Sequence, residues 1–310
     1  MNLLKSIIMT VAVALYCIVG YASASANNQE LAKDRPLVIG YSSKAFFNVD
    51  PRDAIGLSKV WINTADRAMG NRTPSNVVYF NDSDEMERAL LANEVDIVVL
   101  IAQEFVHLQE RVPLRPVLSA DYGRHFYSEL LLLVRNDSGI SRVEQLRGKS
   151  IRIESGQRGS IPIQWLDSYL MARVASDSRS FFSAITEYSK ASQVIMPLFF
   201  KQSDACLASK DSLETMSELN PQIGRAMRIL ETSPGFATGL LAVRSDIRNP
   251  RRDALVKAIR EIHNDPKGQQ LLTIFRINRL VDFKVEHMAT IEKTLKEHRN
   301  ILDRTKRTRR

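Results

Sequence analysis

Residues 95–101 read Val-Asp-Ile-Val-Val-Leu-Ile (VDIVVLI), a continuous apolar run broken only by Asp96. That is the pattern of a strand covered on both faces. Working outward, Asp82 and Glu85 stand at capping-box spacing and open a helix with Met86, Ala89 and Leu90 on one side. Residues 77–80 precede it as a strand. Further upstream, Asp50-Pro51 supplies an N-cap followed by proline at the first helical position, for a helix ending near Gly70. Residues 37–41 form the first strand and lead into a loop. This strand–helix–strand–helix–strand alternation predicts a parallel α/β sheet.

The same alternation returns in the second half of the chain. Residues 150–154 form a strand, residues 155–160 (SGQRGS) a loop, and residues 162–174 a helix with Trp165, Leu166, Tyr169, Leu170 and Val174 at helical spacing. Residues 193–201 are helical in tendency, with Pro197 expected to kink the helix or delay its start. Asp96 and Asp204 each follow a helix and open a strand. Two half-chains of one kind predict two lobes. Residues 131–137 (LLLVRND) and 240–246 (LLAVRSD) echo each other and are expected to be the paired crossing strands of a hinge. Residues 251–271 and 287–304 are expected to be helical and to pack back on the first lobe. The expected fold is therefore α/β, two lobes with a hinge of two crossing strands and a central ligand cleft. Lobe 1 takes residues 27–133 and 238–303, lobe 2 takes residues 134–237, and residues 304–310 form a basic tail.

Of 310 residues, 44% are hydrophobic and 25% charged, which excludes a disordered, collagen-like or multi-span membrane chain. Thirteen glycines are too few to favour glycine-rich phosphate loops. Residues 1–26 have the layout of a secretory signal peptide: Lys5, an apolar run, and small residues at 22–26. Cleavage is expected after Ala26, giving an exported, periplasmic protein. It removes Cys17 and leaves Cys206, expected to be a small buried hydrophobe. The net charge of +8 includes Lys5 and five basic residues of the tail (Arg304, Lys306, Arg307, Arg309 and Arg310), so the body carries about +2. The positive charge belongs to the tail and does not mark a nucleic-acid binder.

Enzyme signatures are missing. No G-x-S-x-G, S-x-x-K, H-E-x-x-H, P-loop or G-x-G-x-x-G occurs, and the five histidines (His107, His125, His263, His287 and His298) stand at no metal-ligand spacing. No enzyme activity, cofactor or metal is expected. Ligand binding has better support. Three loops carry small polar or cationic residues: Tyr41-Ser42-Ser43-Lys44, Arg124-His125-Phe126-Tyr127-Ser128, and Gln157-Arg158-Gly159-Ser160. In α/β sheets, ligands sit beyond the carboxyl ends of the strands, where helix N-termini offer N–H groups. Lys44, Arg124 and Arg158 are the candidate charge partners of an anion, and Gly159 would allow close backbone approach.

The order of these elements resembles the exported solute-binding proteins of the phosphate/phosphite/phosphonate type, within the type II periplasmic binding fold. The resemblance runs over about residues 35–285. It is carried by residues 93–101 (NEVDIVVLI), 128–137, 146–154 (LRGKSIRIE), 155–160 and 238–246. It implies an anion-binding protein that serves an ATP-driven importer. The ligand contacts are expected at Tyr41, Ser42 and Ser43 in the first loop, and at Ala102 and Gln103 after the strand of residues 95–101. Tyr127 and Ser128, then Gln157, Arg158, Gly159 and Ser160, with Ser192 and Asp204, complete the set. Departures accompany the resemblance: the family's hydroxyl-rich Ser-Thr-Ser-Gly loop is replaced by Arg158-Gly159-Ser160-Ile161, and Lys190-Ala191-Ser192 lacks the acid that aminophosphonate binders carry. The expected function is capture of a small oxyanion or organic anion, by a monomer that docks on a membrane permease. The alternative is a sensing module of the same fold that reports to a membrane histidine kinase.

Overall fold

The computed structural model describes residues 36–45, 51–70, 74–122, 128–155, 160–237, 239–275 and 277–308. The first half runs β1 (Val38–Ser42), α1 (Pro51–Ala68), β2 (Asn76–Phe80), α2 (Ser83–Leu91), β3 (Ile97–Ile101), α3 (Ala102–Leu108) and β4 (Leu114–Asp121). The second contributes β5 (Leu130–Arg135), β6 (Ser150–Glu154), α4 (Ile161–Val174), α5 (Ser178–Phe181), β7 (Ala184–Tyr188), α6 (Ser192–Phe199), β8 (Ala205–Ser209), α7 (Lys210–Leu219), α8 (Pro221–Ala226) and β9 (Met227–Thr232). The chain then returns with β10 (Gly239–Arg244), α9 (Pro250–Arg260), α10 (Pro266–Ile274), β11 (Arg279–Asp282) and α11 (Glu286–Thr308).

The strands form two sheets, ordered β11-β4-β10-β3-β1-β2 and β7-β6-β8-β5-β9. The α/β, two-lobe architecture expected from the sequence is present. In each sheet three parallel strands (β2-β1-β3 and β7-β6-β8) are followed by an antiparallel strand, β10 or β5; beyond it lie β4 and then β11 in the first sheet and β9 in the second. The expected strands along the parallel part all form, and Asp82 caps α2 by accepting from the Glu85 N–H at 2.7 Å.

The echoed segments turn out to have another role than the one expected. They do not pair with each other and do not make the hinge. Residues 130–135 lie inside the second sheet and residues 239–244 inside the first, each as the antiparallel strand. Both carry a register shift after their second echoed residue, between Leu132 and Leu133 and between Leu241 and Ala242. Their arginines do equivalent work. Arg244 donates to the Leu90 carbonyl at 2.5 Å and to Asn93 Oδ1 at 2.6 Å, and it pairs with Asp246. Arg135 donates to the Phe199 carbonyl and pairs with Asp137 at 2.7 Å. Each guanidinium thus covers a carbonyl at the end of the helix that precedes the third parallel strand, where the helix's own hydrogen bonds run out. The likeness of LLLVRND to LLAVRSD reflects matching positions in two related sheets.

The crossing lies one short step away. Ser128 and Phe236 exchange backbone hydrogen bonds at 2.9 and 3.0 Å, and Leu130 and Ser233 are joined by the Ser233 N–H at 2.8 Å and the Ser233 hydroxyl oxygen at 2.8 Å. The lobe boundary expected after residue 133 therefore falls inside β5, which belongs wholly to the second sheet.

Two helical expectations change in detail. Pro197 sits inside α6 and does not delay its start. The carbonyl that its missing N–H leaves unbonded, that of Gln193, accepts from Arg152 at 3.2 Å. The stretch 251–271 is two helices, because Asp265 caps α10 through the Gly268 N–H at 2.9 Å and Pro266 follows at the first helical position.

The C-terminal helix α11 does not pack on the first lobe alone. It lies against α4 of the second lobe and α3 of the first. Met288, Ile291 and Leu295 join one apolar cluster with Phe105 and Val106 of α3 and with Trp165 and Leu166 of α4. His298 Nε2 stands 3.1 Å from Asp167 in the second lobe, and Arg299 stands 3.7 Å from Glu110 in the first. Near the start of this helix His287 is buried, its Nδ1 3.2 Å from the Ser119 hydroxyl and accepting from the Lys284 N–H at 3.2 Å. Burial lowers its pKa below the ordinary value, with Lys284 adding to the effect and Glu286 opposing it. The unfolded chain therefore takes up this proton first. Stability from this group is complete above about pH 6.5 and is lost as the pH falls through the folded pKa. Denaturant titrations at pH 7 and pH 5 are expected to show a smaller acid loss in His287→Gln than in the wild type; equal losses would mean that His287 contributes nothing to it.

Candidate functional site

The parallel strands β1 and β3 end at Ser42 and Ile101, and β6 and β8 end at Glu154 and Ser209. The segments that follow β3 and β6 meet at the seam between the lobes. Gln103, in the first turn of α3, donates from Nε2 to the Ser160 hydroxyl oxygen at 2.7 Å. Its Oε1 accepts from the Ser160 N–H at 3.0 Å. Ser160 is the residue before α4, so its N–H stands at the positive end of a 14-residue helix. Behind this contact lies a cavity of about 40 Å³, room for only a few waters. Ala102, Gln103, Ser128, Ile161, Phe236 and Ile291 are among its lining residues.

Four of the expected contacts are therefore brought together: Ala102, Gln103, Ser128 and Ser160. Ser42 ends β1 and Ser43 begins the turn after it, which lies against β3; the Ser42 hydroxyl accepts from the Lys44 N–H at 3.1 Å. Tyr127, Gln157, Arg158 and Gly159, with Arg124, lie outside the described residues. Ser192 is exposed at the start of α6, after the edge strand β7.

Three expectations are corrected. Tyr41 is buried in the apolar core of the first lobe and stacks on Tyr79 at 5.6 Å, away from the seam. Burial, then Tyr79, pushes its hydroxyl well above the ordinary value, and burial pushes Tyr79 up to about 12. Asp204 sits before β8, at the opposite end of the strand from Ser209. There it accepts from the Ser150 N–H and hydroxyl, both at 2.8 Å. Burial works against its charge, but the Ser150 donors and Lys149 hold the carboxyl below its ordinary value. Asp96 does the same in the first sheet, accepting from the Val38 N–H at 2.9 Å. These aspartates tie the first and third parallel strands of each sheet together, at the strand ends opposite Ile101 and Ser209. Lys44 is not an open charge partner either: its Nζ stands 3.5 Å from Glu104, whose carboxylate is buried and also accepts from Ser83.

Several residues at the seam carried no signal in sequence. Glu104 and Glu154 are buried carboxylates at the carboxyl ends of the two sheets, and Glu154 accepts from the Ser209 N–H and the Ser212 hydroxyl, both at 2.8 Å. Phe236, Ala237 and Ile291 supply apolar walls from remote parts of the chain. Cys206 is fully buried in β8, and burial, with Glu154, pushes its thiol up, which suits a packing role and no nucleophilic one. Among the described residues no group of three or more His, Cys, Asp or Glu could hold a metal ion.

A family model described as ABC transporter, phosphonate, periplasmic substrate-binding protein matches residues 68–288. The chain belongs to this family. The match takes in the whole second sheet and every strand of the first except β1, so this is a substrate-binding protein of the ABC transporter type, a family that works in transport with a small-molecule ligand and a membrane permease. No curated protein matches the chain.

Solved structures share the fold of this phosphonate-type binding protein. XAC2383 from Xanthomonas citri bound to ATP is 16% identical, covers 86% of this chain and 98% of its own, and superposes with a TM-score of 0.66. The binding protein component of an ABC phosphonate transporter (PA3383) from Pseudomonas aeruginosa is 12% identical, covers 86% of this chain and 87% of its own, and has a TM-score of 0.63. PhnD1 from Prochlorococcus marinus, in complex with methylphosphonate, is 12% identical, covers 85% and 97%, and has a TM-score of 0.59. Among the described residues no helix is long and apolar enough to cross a membrane. Residues 1–26, expected to be a signal peptide, lie outside the described residues.

Proposed function

We propose that the chain captures a small oxyanion of the phosphonate or phosphate kind between its lobes and delivers it to the membrane permease of an ABC importer. In this reading residues 1–26 direct export and the protein works in the periplasm. The observation that carries the ligand class is Ser160: a hydroxyl and an N–H at the start of a long helix, held at the lobe seam opposite Gln103. Helix N-termini hold anions through free N–H groups and the favourable dipole. A ligand that touches both lobes would supply the free energy of closure. The family match and the methylphosphonate complex of PhnD1 support the same chemistry.

The test is a thermal-shift and calorimetry panel of phosphate, phosphite, methylphosphonate, aminoethylphosphonate, sulfate, taurine and small carboxylates. A ligand at a hundred times its dissociation constant adds about 2.7 kcal/mol to stability. A chain of this size should respond with a rise of several degrees. A selective response to one phosphorus oxyanion is expected; a panel without any response would sink the oxyanion assignment.

A further inference from the structure

We infer that Gln103 is a ligand surrogate built into the chain, and that it sets the affinity of the cleft by competing with the bound anion for Ser160. The inference rests on the proposed site and concerns what fills that site before the ligand arrives. The Gln103 carboxamide reaches from α3 in one lobe to the start of α4 in the other. Its oxygen accepts the Ser160 N–H at 3.0 Å, its nitrogen donates to the Ser160 hydroxyl oxygen at 2.7 Å, and a longer contact of 3.4 Å runs to Gln164 Oε1. One side chain thus engages both the N–H and the hydroxyl of Ser160. Gln103 is only 8% exposed, so water does not compete freely for those groups.

The carboxamide oxygen stands where an anion's oxygen would stand at the positive end of α4. It carries a partial charge only. An ionised oxygen makes charge-assisted hydrogen bonds of roughly twice the strength and can displace it. Pro162, the second residue of α4, has no N–H to give, so the first turn has one donor fewer with which to hold both acceptors at once. Gln103 and the ligand therefore exclude each other at the Ser160 N–H.

Competition of this kind has a definite signature. The fraction of protein in the clasped state reduces the apparent affinity of every ligand that must displace it, and by the same factor. Gln103 raises the affinity threshold of the cleft and leaves its preference between ligands unchanged. Two neutral hydrogen bonds shielded from water correspond to a factor of about ten or more.

The experiment compares wild type, Gln103→Ala and Gln103→Glu. Calorimetry with methylphosphonate and with phosphate is combined with hydrogen exchange at the Ser160 amide and X-ray scattering of the unliganded proteins. Gln103→Ala is expected to bind both anions about ten-fold more tightly and by one common factor, with faster Ser160 exchange and a larger radius of gyration. Gln103→Glu is expected to keep the Ser160 amide protected and to weaken both anions, because its carboxylate is not displaced. Weaker binding by Gln103→Ala, or unequal factors for the two anions, would make Gln103 an ordinary ligand contact and overturn the inference. Unchanged Ser160 exchange in Gln103→Ala would overturn it as well. If none of the three proteins binds either anion, the oxyanion assignment of the proposed function fails, and the Ser160 exchange alone decides whether the clasp exists.

Discussion

Ser160→Asp is expected to abolish oxyanion binding, weakening it at least about 100-fold, while α4 and the fold stay intact. Aspartate is among the best residues at a helix N-cap, and a negative charge there is stabilised by the helix dipole. The thermal midpoint should therefore equal or exceed that of the wild type. The same charge would occupy the place proposed for the ligand's oxygen. Juxtaposed like charges cost several kcal/mol, and about 2.7 kcal/mol already corresponds to 100-fold. Calorimetry with the anion that the panel identifies is the check. Wild-type affinity in this variant would move the ligand away from α4 altogether. Because stability is expected to hold while affinity falls, a misfolded variant cannot imitate the result.

The second large effect is on stability. Arg244→Ala is expected to lower the free energy of unfolding by about 3 kcal/mol, the scale for removing one partner from a buried charged network. The Arg244 side chain is 10% exposed and holds the Leu90 carbonyl, Asn93 and Asp246. Truncation leaves the carbonyl at the end of α2 and the Asn93 oxygen without this donor. Arg135→Ala, its counterpart in the second sheet, is expected to cost less than half as much. Its side chain is 18% exposed and its partner Asp137 is 49% exposed, so water can replace more of what is lost. Midpoints from chemical denaturation of the two variants give the comparison. Equal costs would mean that burial of the Arg244 network contributes little.

Most of the secondary structure could be read from the chain because the signals are local. The run 95–101, the capping spacing of Asp82 and Glu85, and the helical stripe of Trp165, Leu166, Tyr169 and Leu170 all act within a few residues. The echo of LLLVRND in LLAVRSD was visible too, but its meaning was not. A strand's sequence records that it is apolar on both faces, and both echoed strands are. Which neighbours it takes depends on the rest of the chain, and here the two strands went into separate sheets. The place of Tyr41 is not legible in the sequence for a similar reason: successive side chains of a strand point to opposite faces, and only packing against Tyr79 shows which face is which. The place of Asp204 is not legible either, because one side chain does not reveal which neighbour it ties to; its bonds to Ser150 do.

The sequence by itself determined the α/β class, the two-lobe repeat and the resemblance to phosphonate-type binding proteins, which the family match bears out. Each of these follows from periodicity, caps and short motifs, interactions that span a turn or a strand. The tertiary structure alone decided that Gln103 meets Ser160, 57 residues away, and that Lys44 is neutralised by Glu104. It alone decided that α11 lies across both lobes. Those contacts join residues far apart in the chain. Their partners are chosen by the closing of two sheets and the need to satisfy buried polar groups, and no local pattern encodes that choice.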